Sequence, residues 1–313
     1  MKIVVTGGAG FIGGHIAEYW LEQGADVHII DNLRSGRREN LAIYPGAIFH
    51  EVSITNRKRV FEIMEDARYV HHLAAMISVP ESMDKPLECV DINVNGLLNV
   101  LDAAKARGVE KVVHSSSAAV YGDNPVSPKT TSMRPGPKSP YGITKLDGEY
   151  YLQMYHESYG LGTASLRYFN VFGPRQDPNS AYAAAIPIFV KRALENRDLS
   201  IFGDGEQTRD FVFVKDVVQA NVLAATTQNA TAVYNVANGS AITIKELCEL
   251  IIRTTGSSSK IVFTDERPGD IKHSLADISA TKQALGFVPK YDLVKGLQQT
   301  IRYFMDVFQS AGV

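Results

Sequence analysis

The stretch Thr6-Gly7-Gly8-Ala9-Gly10-Phe11-Ile12-Gly13 constrains the fold more than any other part of the chain. It follows an apolar run, Lys2-Ile3-Val4-Val5-Thr6, that reads as a strand, and it opens a helical pattern over residues 11–23. Glycines at such a junction let the backbone turn tightly and let an anion approach where a Cβ would stand in the way. The helix beginning there points unpaired N–H groups and its positive dipole end at the same anion. A second apolar run, residues 27–31, ends in Asp31, about twenty residues past the glycines, where a carboxylate can bond both hydroxyls of a ribose. Strand, glycine loop, helix, strand and acid in this order predict a dinucleotide site. The carboxylate would repel a 2′-phosphate, which favours NAD; Arg34 and Arg37 keep NADP as the alternative.

The same alternation continues. Strand patterns near residues 3–6, 27–31, 48–51, 69–72, 111–115 and 163–167 are separated by helical patterns over 11–23, 57–66, 93–107 and 141–159. Alternation of this kind predicts an α/β fold, a Rossmann-type doubly wound parallel sheet covered on both faces. Gly24 and Gly108 each fall just past a helical stretch, where a terminating glycine takes positive φ. Beyond about residue 170 the pattern changes: 173–179, 203–210 and 267–270 are polar and turn-rich, and helical patterns at 184–196, 215–226, 243–254 and 292–308 fill the gaps. The division this predicts is a dinucleotide domain over 1–168, with returning segments near 211–237. A smaller interleaved α/β domain over 169–210 and 238–313 would take the substrate.

Composition narrows the function. With 32 basic against 34 acidic side chains the 313-residue chain carries a formal charge of −2, so no nucleic-acid footprint is expected. No apolar stretch is long enough to cross a bilayer, and the amino terminus runs directly into a strand, so the expectation is a cytoplasmic protein with no membrane partner. Cys89 and Cys248 are isolated and read as reduced thiols, and no cysteine or histidine spacing suits a metal. His71 and His72 sit side by side on a strand and so point to opposite faces.

Tyr141 and Lys145 are four residues apart and share a helix face. In a chain of 14 tyrosines a lone Tyr-x-x-x-Lys carries little, so its context decides. Ser115-Ser116-Ser117-Ala118-Ala119-Val120-Tyr121-Gly122 follows the fifth strand, and ligands of open α/β sheets bind beyond the carboxyl ends of the strands. Ser117 can therefore reach the space that Tyr141 faces. A phenol has a pKa near ~10; an adjacent ammonium and a cationic nicotinamide ring would lower it and let Tyr141 take a proton from a hydroxyl as hydride leaves the same carbon.

With these residues in hand, the chain resembles the extended short-chain dehydrogenase/reductases, and within them the UDP-hexose 4-epimerases. The resemblance runs in family order through Thr6–Gly13, Asp31-Asn32-Leu33, His72-Leu73-Ala74-Ala75, Asn93-Val94-Asn95-Gly96, the Ser115 to Gly122 stretch, Tyr141 to Lys145, Leu166-Arg167-Tyr168-Phe169-Asn170, Arg209-Asp210 and Arg267-Pro268-Gly269-Asp270. It implies an NAD-dependent enzyme with Ser117, Tyr141 and Lys145 as catalytic residues. The cofactor would be held by Gly7, Gly10, Phe11, Ile12, Gly13, Asp31, Asn32, Ser35, Gly36, Ser53, Ile54, Leu73, Ala74, Ala75, Asn93, Ser115 and Tyr168, with Tyr141 and Lys145. A UDP-sugar substrate would meet Ser78, Ser117, Tyr141, Asn170, Arg209, Arg267, Asp270 and Ser274. Arginines suit this task because a guanidinium fork bonds phosphate oxygens in pairs. The resemblance also implies a homodimer joined through the helices at 93–107 and 141–159.

The branch acting on UDP-N-acetylhexosamines is the most similar. Residues 173–184 look like its substrate loop, and Ser274 stands where a small residue leaves room for an acetamido group and where relatives restricted to glucose and galactose tend to carry tyrosine. Ser82 would join Ser78 in the same pocket. Three positions depart from the family pattern: Ser53 replaces an acid that contacts adenine, Ala119 replaces a second hydroxyl residue, and Ile77 replaces a lysine near the cofactor. The predicted reaction is inversion at C4 of a UDP-hexose through a transient 4-keto sugar. The alternatives are a UDP-glucuronate 4-epimerase in which Arg175 meets a carboxylate, a 4,6-dehydratase or decarboxylase, and a non-catalytic NAD-binding module.

Overall fold

The computed structural model describes residues 1–179, 184–266 and 272–310. Its first half alternates as expected: β1 (Lys2–Thr6), α1 (Phe11–Glu22), β2 (Asp26–Asp31), a short α2 (Arg38–Leu41), β3 (Ile48–Glu51), α3 (Arg57–Ile63) and β4 (Ala67–His72). Two short helices, α4 (Val79–Asp84) and α5 (Pro86–Val90), pass through a π-helical turn (Asp91–Asn95) into α6 (Gly96–Ala106). Then come β5 (Lys111–Ser117), a 3-10 turn (Ala118–Tyr121), α7 (Pro140–Tyr159) and β6 (Gly162–Tyr168). Helix α7 starts where local chemistry says it should, with Ser139 capping the Gly142 N–H and Pro140 in the first turn, and it stops at left-handed Gly160. Gly24 and Gly108 have φ of 72° and 67°, the helix-ending conformation expected of them.

The chain goes on through β7 (Asn170–Phe172), α8 (Ala185–Leu194), β8 (Leu199–Phe202), β9 (Thr208–Arg209), β10 (Phe211–Phe213), α9 (Val214–Thr226), β11 (Val233–Val236), β12 (Ile242–Thr243), α10 (Ile244–Thr255), β13 (Ile261–Thr264), β14 (His273–Ser274), α11 (Ser279–Leu285) and α12 (Leu293–Ser310). The main sheet has seven strands in the order β11-β6-β5-β4-β1-β2-β3, and every pairing in it is parallel. Successive residues face opposite layers: Ile3 and Val5 pack with Ile16, Trp20 and Val217, whereas Val4 packs with Val60, Leu97 and Leu152. Burial on both faces explains why the strands read as continuous apolar runs. A third cluster, including Phe172, Phe189, Ile201, Phe213, Ile251 and Phe304, is built from the second half of the chain.

This order positions the site. The chain builds outward from β1 to β2 and β3, then returns to lay β4 on the other side of β1. The crevice at the carboxyl ends of β1 and β4 is the switch point at which such sheets bind ligands. Two of the differences from the expected boundaries bear on the site. Strand β5 runs through Ser117, paired with Tyr168 of β6, where the sequence pattern ends it at residue 115. The helix expected over 93–107 is entered from residue 86, and Asn93 sits in the π turn.

Candidate active site and cofactor cradle

The glycine loop leaves β1 with Gly7 at φ 73°. A Cβ on Gly7 would lie 2.7 Å from Ala74 N, and one on Gly13 would lie 2.2 Å from Gly7 O, so the loop closes on itself and on the chain after β4 only because both positions lack a side chain. No side chain caps α1 at Gly10, so its first N–H groups face the crevice with their dipole end uncovered. Thr6 Oγ1 accepts from Leu73 N and Ala74 N at 3.2 Å each and bonds His72 Nδ1 at 2.9 Å. Two residues that the sequence did not single out clamp the loop from below: Tyr44 Oη donates to Gly8 O at 2.7 Å, and Asn40 Nδ2 donates to Ala9 O at 2.8 Å. They lie around a four-residue helix without a motif, so no sequence signal marks them.

Asp31, 8% exposed at the end of β2, accepts from Ala9 N at 3.0 Å and Leu33 N at 2.8 Å. Burial pushes its carboxyl above the usual range while the two backbone donors pull it down. Gly36 closes beside it, since a Cβ there would lie 2.8 Å from Asp31 Oδ2, and Asn32 and Ser35 are exposed next to it. This cradle fits an adenosine ribose and pyrophosphate, and NAD suits it better than NADP. Arg34, one candidate for a 2′-phosphate, is engaged by Glu81 and Glu88, and Arg37 lies near Glu39 and Asp177.

Other predicted cofactor residues are placed less directly. Ser53 Oγ bonds Thr55 Oγ1 at 2.8 Å and accepts from Thr55 N, and Ile54 is buried against Gly96. Asn93 is 3% exposed, and its carboxamide joins Met76 N and O to Thr144 Oγ1 at 2.7, 3.1 and 3.0 Å. Tyr168 Oη bonds Asn221 inside the protein, which turns its hydroxyl into the packing of α9.

Ser117, Tyr141 and Lys145 come together at the carboxyl end of β5. The Ser117 hydroxyl is near enough to Tyr141 to draw its pKa down, and its oxygen accepts from Ala119 N at 3.1 Å. Lys145 Nζ donates to Ser115 O at 2.8 Å and stands 5.8 Å from the centroid of the Tyr141 ring. Burial draws the Lys145 ammonium down to about 8. The Tyr141 phenol departs from expectation: burial pushes its pKa above the ordinary value, and the neighbouring Ser117 hydroxyl pulls it only part of the way back. The lysine points its charge at a carbonyl, so in the protein alone removal from water prevails. Behind Lys145, His72 and His114 stack at 5.7 Å, held neutral by burial, His72 at about 3.

The predicted substrate residues divide. Arg209 of β9 and Ser274 of β14 are register partners in a three-stranded sheet completed by β12. Asn170 donates to Asp210 O at 2.9 Å, and Asn170 and Arg209 line one cleft of about 640 Å³ together with Ile186, Phe189, Phe202 and Gln207. The last four were not foreseen: Ile186 and Phe189 lie on α8, whose helical pattern carries no motif, and Phe202 and Gln207 lie at the end of a four-residue strand and in the loop after it. Ser78 Oγ caps α4 through Glu81 N at 3.1 Å. Ser82 is fully buried, donates to Val79 O and accepts from Tyr141 N, so it supports the tyrosine from behind and is no pocket wall. Arg267 and Asp270, and residues 180–183 of the expected substrate loop, lie outside the described residues. Arg175 pairs with Glu18 and reaches His15 Nδ1 at 2.8 Å on α1, a commitment that leaves the carboxylate role suggested for it to the protein's own acid.

A switch-point crevice with a glycine loop on one side and a Ser–Tyr–Lys row on the other defines the class: a Rossmann-type dinucleotide enzyme. Within that class the chain belongs to the NAD dependent epimerase/dehydratase family, which it matches over residues 3–237. It is 44% identical in sequence to the UDP-N-acetylglucosamine 4-epimerase of Methanobrevibacter ruminantium M1, whose structure, in complex with UDP-N-acetylmuramic acid, superposes with a TM-score of 0.93 over 98% of both chains. It is 40% identical to the UDP-glucose 4-epimerase of Thermotoga maritima, solved with UDP-glucose, with a TM-score of 0.94 over 98% of this chain and 100% of that one. The UDP-glucose 4-epimerase of Mycolicibacterium smegmatis is 37% identical over 99% of this chain and 100% of its own.

Proposed function

We propose that this protein inverts C4 of a UDP-hexose, interconverting UDP-N-acetylglucosamine and UDP-N-acetylgalactosamine and also accepting UDP-glucose and UDP-galactose. The observation that carries the reading is the convergence of Ser117, Tyr141 and Lys145 at the carboxyl end of β5, with Lys145 Nζ 2.8 Å from Ser115 O and 5.8 Å from the centroid of the Tyr141 ring. NAD, when bound, supplies a reversible hydride acceptor. The work of the chain is to bind, orient and move a proton. Tyr141 Oη takes the proton of the sugar 4-hydroxyl and later returns it, with Ser117 Oγ sharing the hydrogen bond to the reacting oxygen. Lys145 brings positive charge to the phenol's side of the site, which favours the deprotonated form. Arg209, with Arg267, holds the diphosphate, and Phe202 and Phe189 offer apolar faces to the base.

Strong remote binding and a loosely held sugar suit a reaction in which the ring must show both faces. Ser274 beside Arg209 supports the N-acetylated substrates, since its small side chain leaves space where a tyrosine would fill it. Ala118 and Ala119 after Ser117 supply no acid for a dehydratase. The test is Tyr141→Phe: turnover of UDP-N-acetylglucosamine falls by at least about 10²-fold, the usual scale of a lost acid/base, while bound NAD is unchanged. Undiminished turnover in that variant would overturn the proton role.

A further inference from the structure

Glu149 lies two turns beyond Tyr141 on α7 and is bound beneath the site. Its Oε1 accepts from Ser116 Oγ at 2.5 Å and from Arg167 Nε at 2.8 Å, and its Oε2 accepts from Arg167 Nη2 at 2.7 Å. The Arg167 and Glu149 side chains are 4% and 3% exposed. Ser116 and Arg167 are register partners in β5 and β6, so one carboxylate on the helix gathers two adjacent strands. The Arg167 guanidinium also lies 4.7 Å from the centroid of the Tyr121 ring, in the turn that follows Ser117, and Tyr121 Oη donates to Asn235 at 2.6 Å.

As a way of joining a helix to a sheet, a buried ion pair brings little stability, because well-packed apolar residues of similar volume often serve as well or better. What it adds is direction. Two parallel N–H···O bonds fix both the distance and the orientation of the groups they join, whereas an apolar contact tolerates sliding and rolling. That matters here because Tyr141, Lys145 and Glu149 follow one another at four-residue spacing on one face of α7. Lys145 and Glu149 bond two successive serines of the strand end, the Ser115 carbonyl and the Ser116 hydroxyl, and the next serine, Ser117, is the one whose hydroxyl acts on Tyr141. Gly148 lets the helix come this close, since a Cβ there would sit 2.5 Å from His114 Nε2.

We propose that Ser116 and the Glu149–Arg167 pair are positioning residues that set the register between α7 and the end of β5, and through it the placement of the Tyr141 hydroxyl relative to Ser117. This rests on the reading of Tyr141 as the group that moves the proton. Ser116→Ala removes the link to β5 and leaves the Glu149–Arg167 pair in place, so the variant folds. Measured on the NAD-loaded enzyme, its kcat falls about tenfold, within the range that a misplaced reacting group costs. KM for the UDP-sugar, bound NAD and the unfolding midpoint stay as in the unaltered protein. The acid limb of the kcat profile moves to higher pH, because a Ser117 hydroxyl set farther from Tyr141 no longer draws the phenol down. Unchanged kcat and pH profile would overturn the proposal, as would a kcat lost only together with bound NAD and thermal stability. Tyr141→Phe, run in parallel, separates the two failures: an active Tyr141→Phe sinks the proton-transfer reading, whereas an inactive Tyr141→Phe beside a fully active Ser116→Ala sinks the positioning role alone.

Discussion

Lys145 is buried to 4% exposure with its ammonium on one carbonyl, Ser115 O at 2.8 Å, and burial brings its pKa from 10.5 down to about 8. Between those values the native protein binds fewer protons than the unfolded chain, so stability rises with pH through that window. Below it, both states carry the charge and the folded one bears the cost of hiding it from water. Lys145→Met therefore raises the unfolding midpoint at pH 7, and the difference from the unaltered protein narrows as pH climbs from 8 towards 10.5, while turnover collapses. Thermal melts across that range check it. An unchanged or lowered midpoint at pH 7 would count against the burial cost. At this scale the sequence was a good guide to which residues meet and a poor one to their electrostatics. Tyr141, Lys145 and Ser117 could be placed from helical spacing and strand ends. The direction of the Tyr141 shift could not, because it depends on how deeply the phenol is shut away from water and on where the lysine points.

Helix α7 shows what an element contributes beyond its motif. Its inner face carries Tyr141, Lys145 and Glu149, and its outer face leaves Ile143, Tyr150 and Met154 exposed at 47%, 56% and 36%. Leu87 of the neighbouring α5 is 85% exposed. Apolar side chains recurring along one helix face and continued by the next helix suit burial against a second copy of the chain. A homodimer through this face is our proposal: sedimentation finds twice the chain mass, and Tyr150→Glu brings it to the mass of one chain. A protein already monomeric at micromolar concentration would contradict it. The six strands and four helices expected before residue 170 could be read because apolar runs and amphipathic helices alternate there between turn signals. The strands β7 to β10 and β12 to β14 have two to four residues each and stand outside such an alternation. The pairing of Arg209 with Ser274 joins residues that local pattern cannot relate. Asn93 and Ser82 carried the right residue types for a pocket, and only packing showed that they brace it.

At the scale of the whole molecule, the second half of the chain is tied to the first across α1. The segment after β7 docks on α1 through Arg175, which is held by Glu18 and His15, and His15 Nε2 lies 3.0 Å from Pro174 O. Hydrogen bonds and charge from His15 and Arg175 hold the Glu18 carboxyl down at about 2 against the opposing effect of burial, so this contact stays ionised throughout the neutral range. The helix that faces the cofactor is thereby tied to the segment leading to the substrate side, and Arg175 is occupied in the tie. For the role in which Arg175 meets a uronate carboxylate, that carboxylate would have to displace Glu18.

The measurement that bears most directly on the account is NMR of the sugar ring after incubation of the NAD-loaded protein with UDP-N-acetylglucosamine, UDP-glucose and UDP-glucuronate in separate tubes. The account predicts the C4 epimer of the first two, formed reversibly and without net consumption of NAD, and little or none from the uronate. A product changed at C5 or C6, inversion confined to the uronate, or no product from any of the three would contradict it.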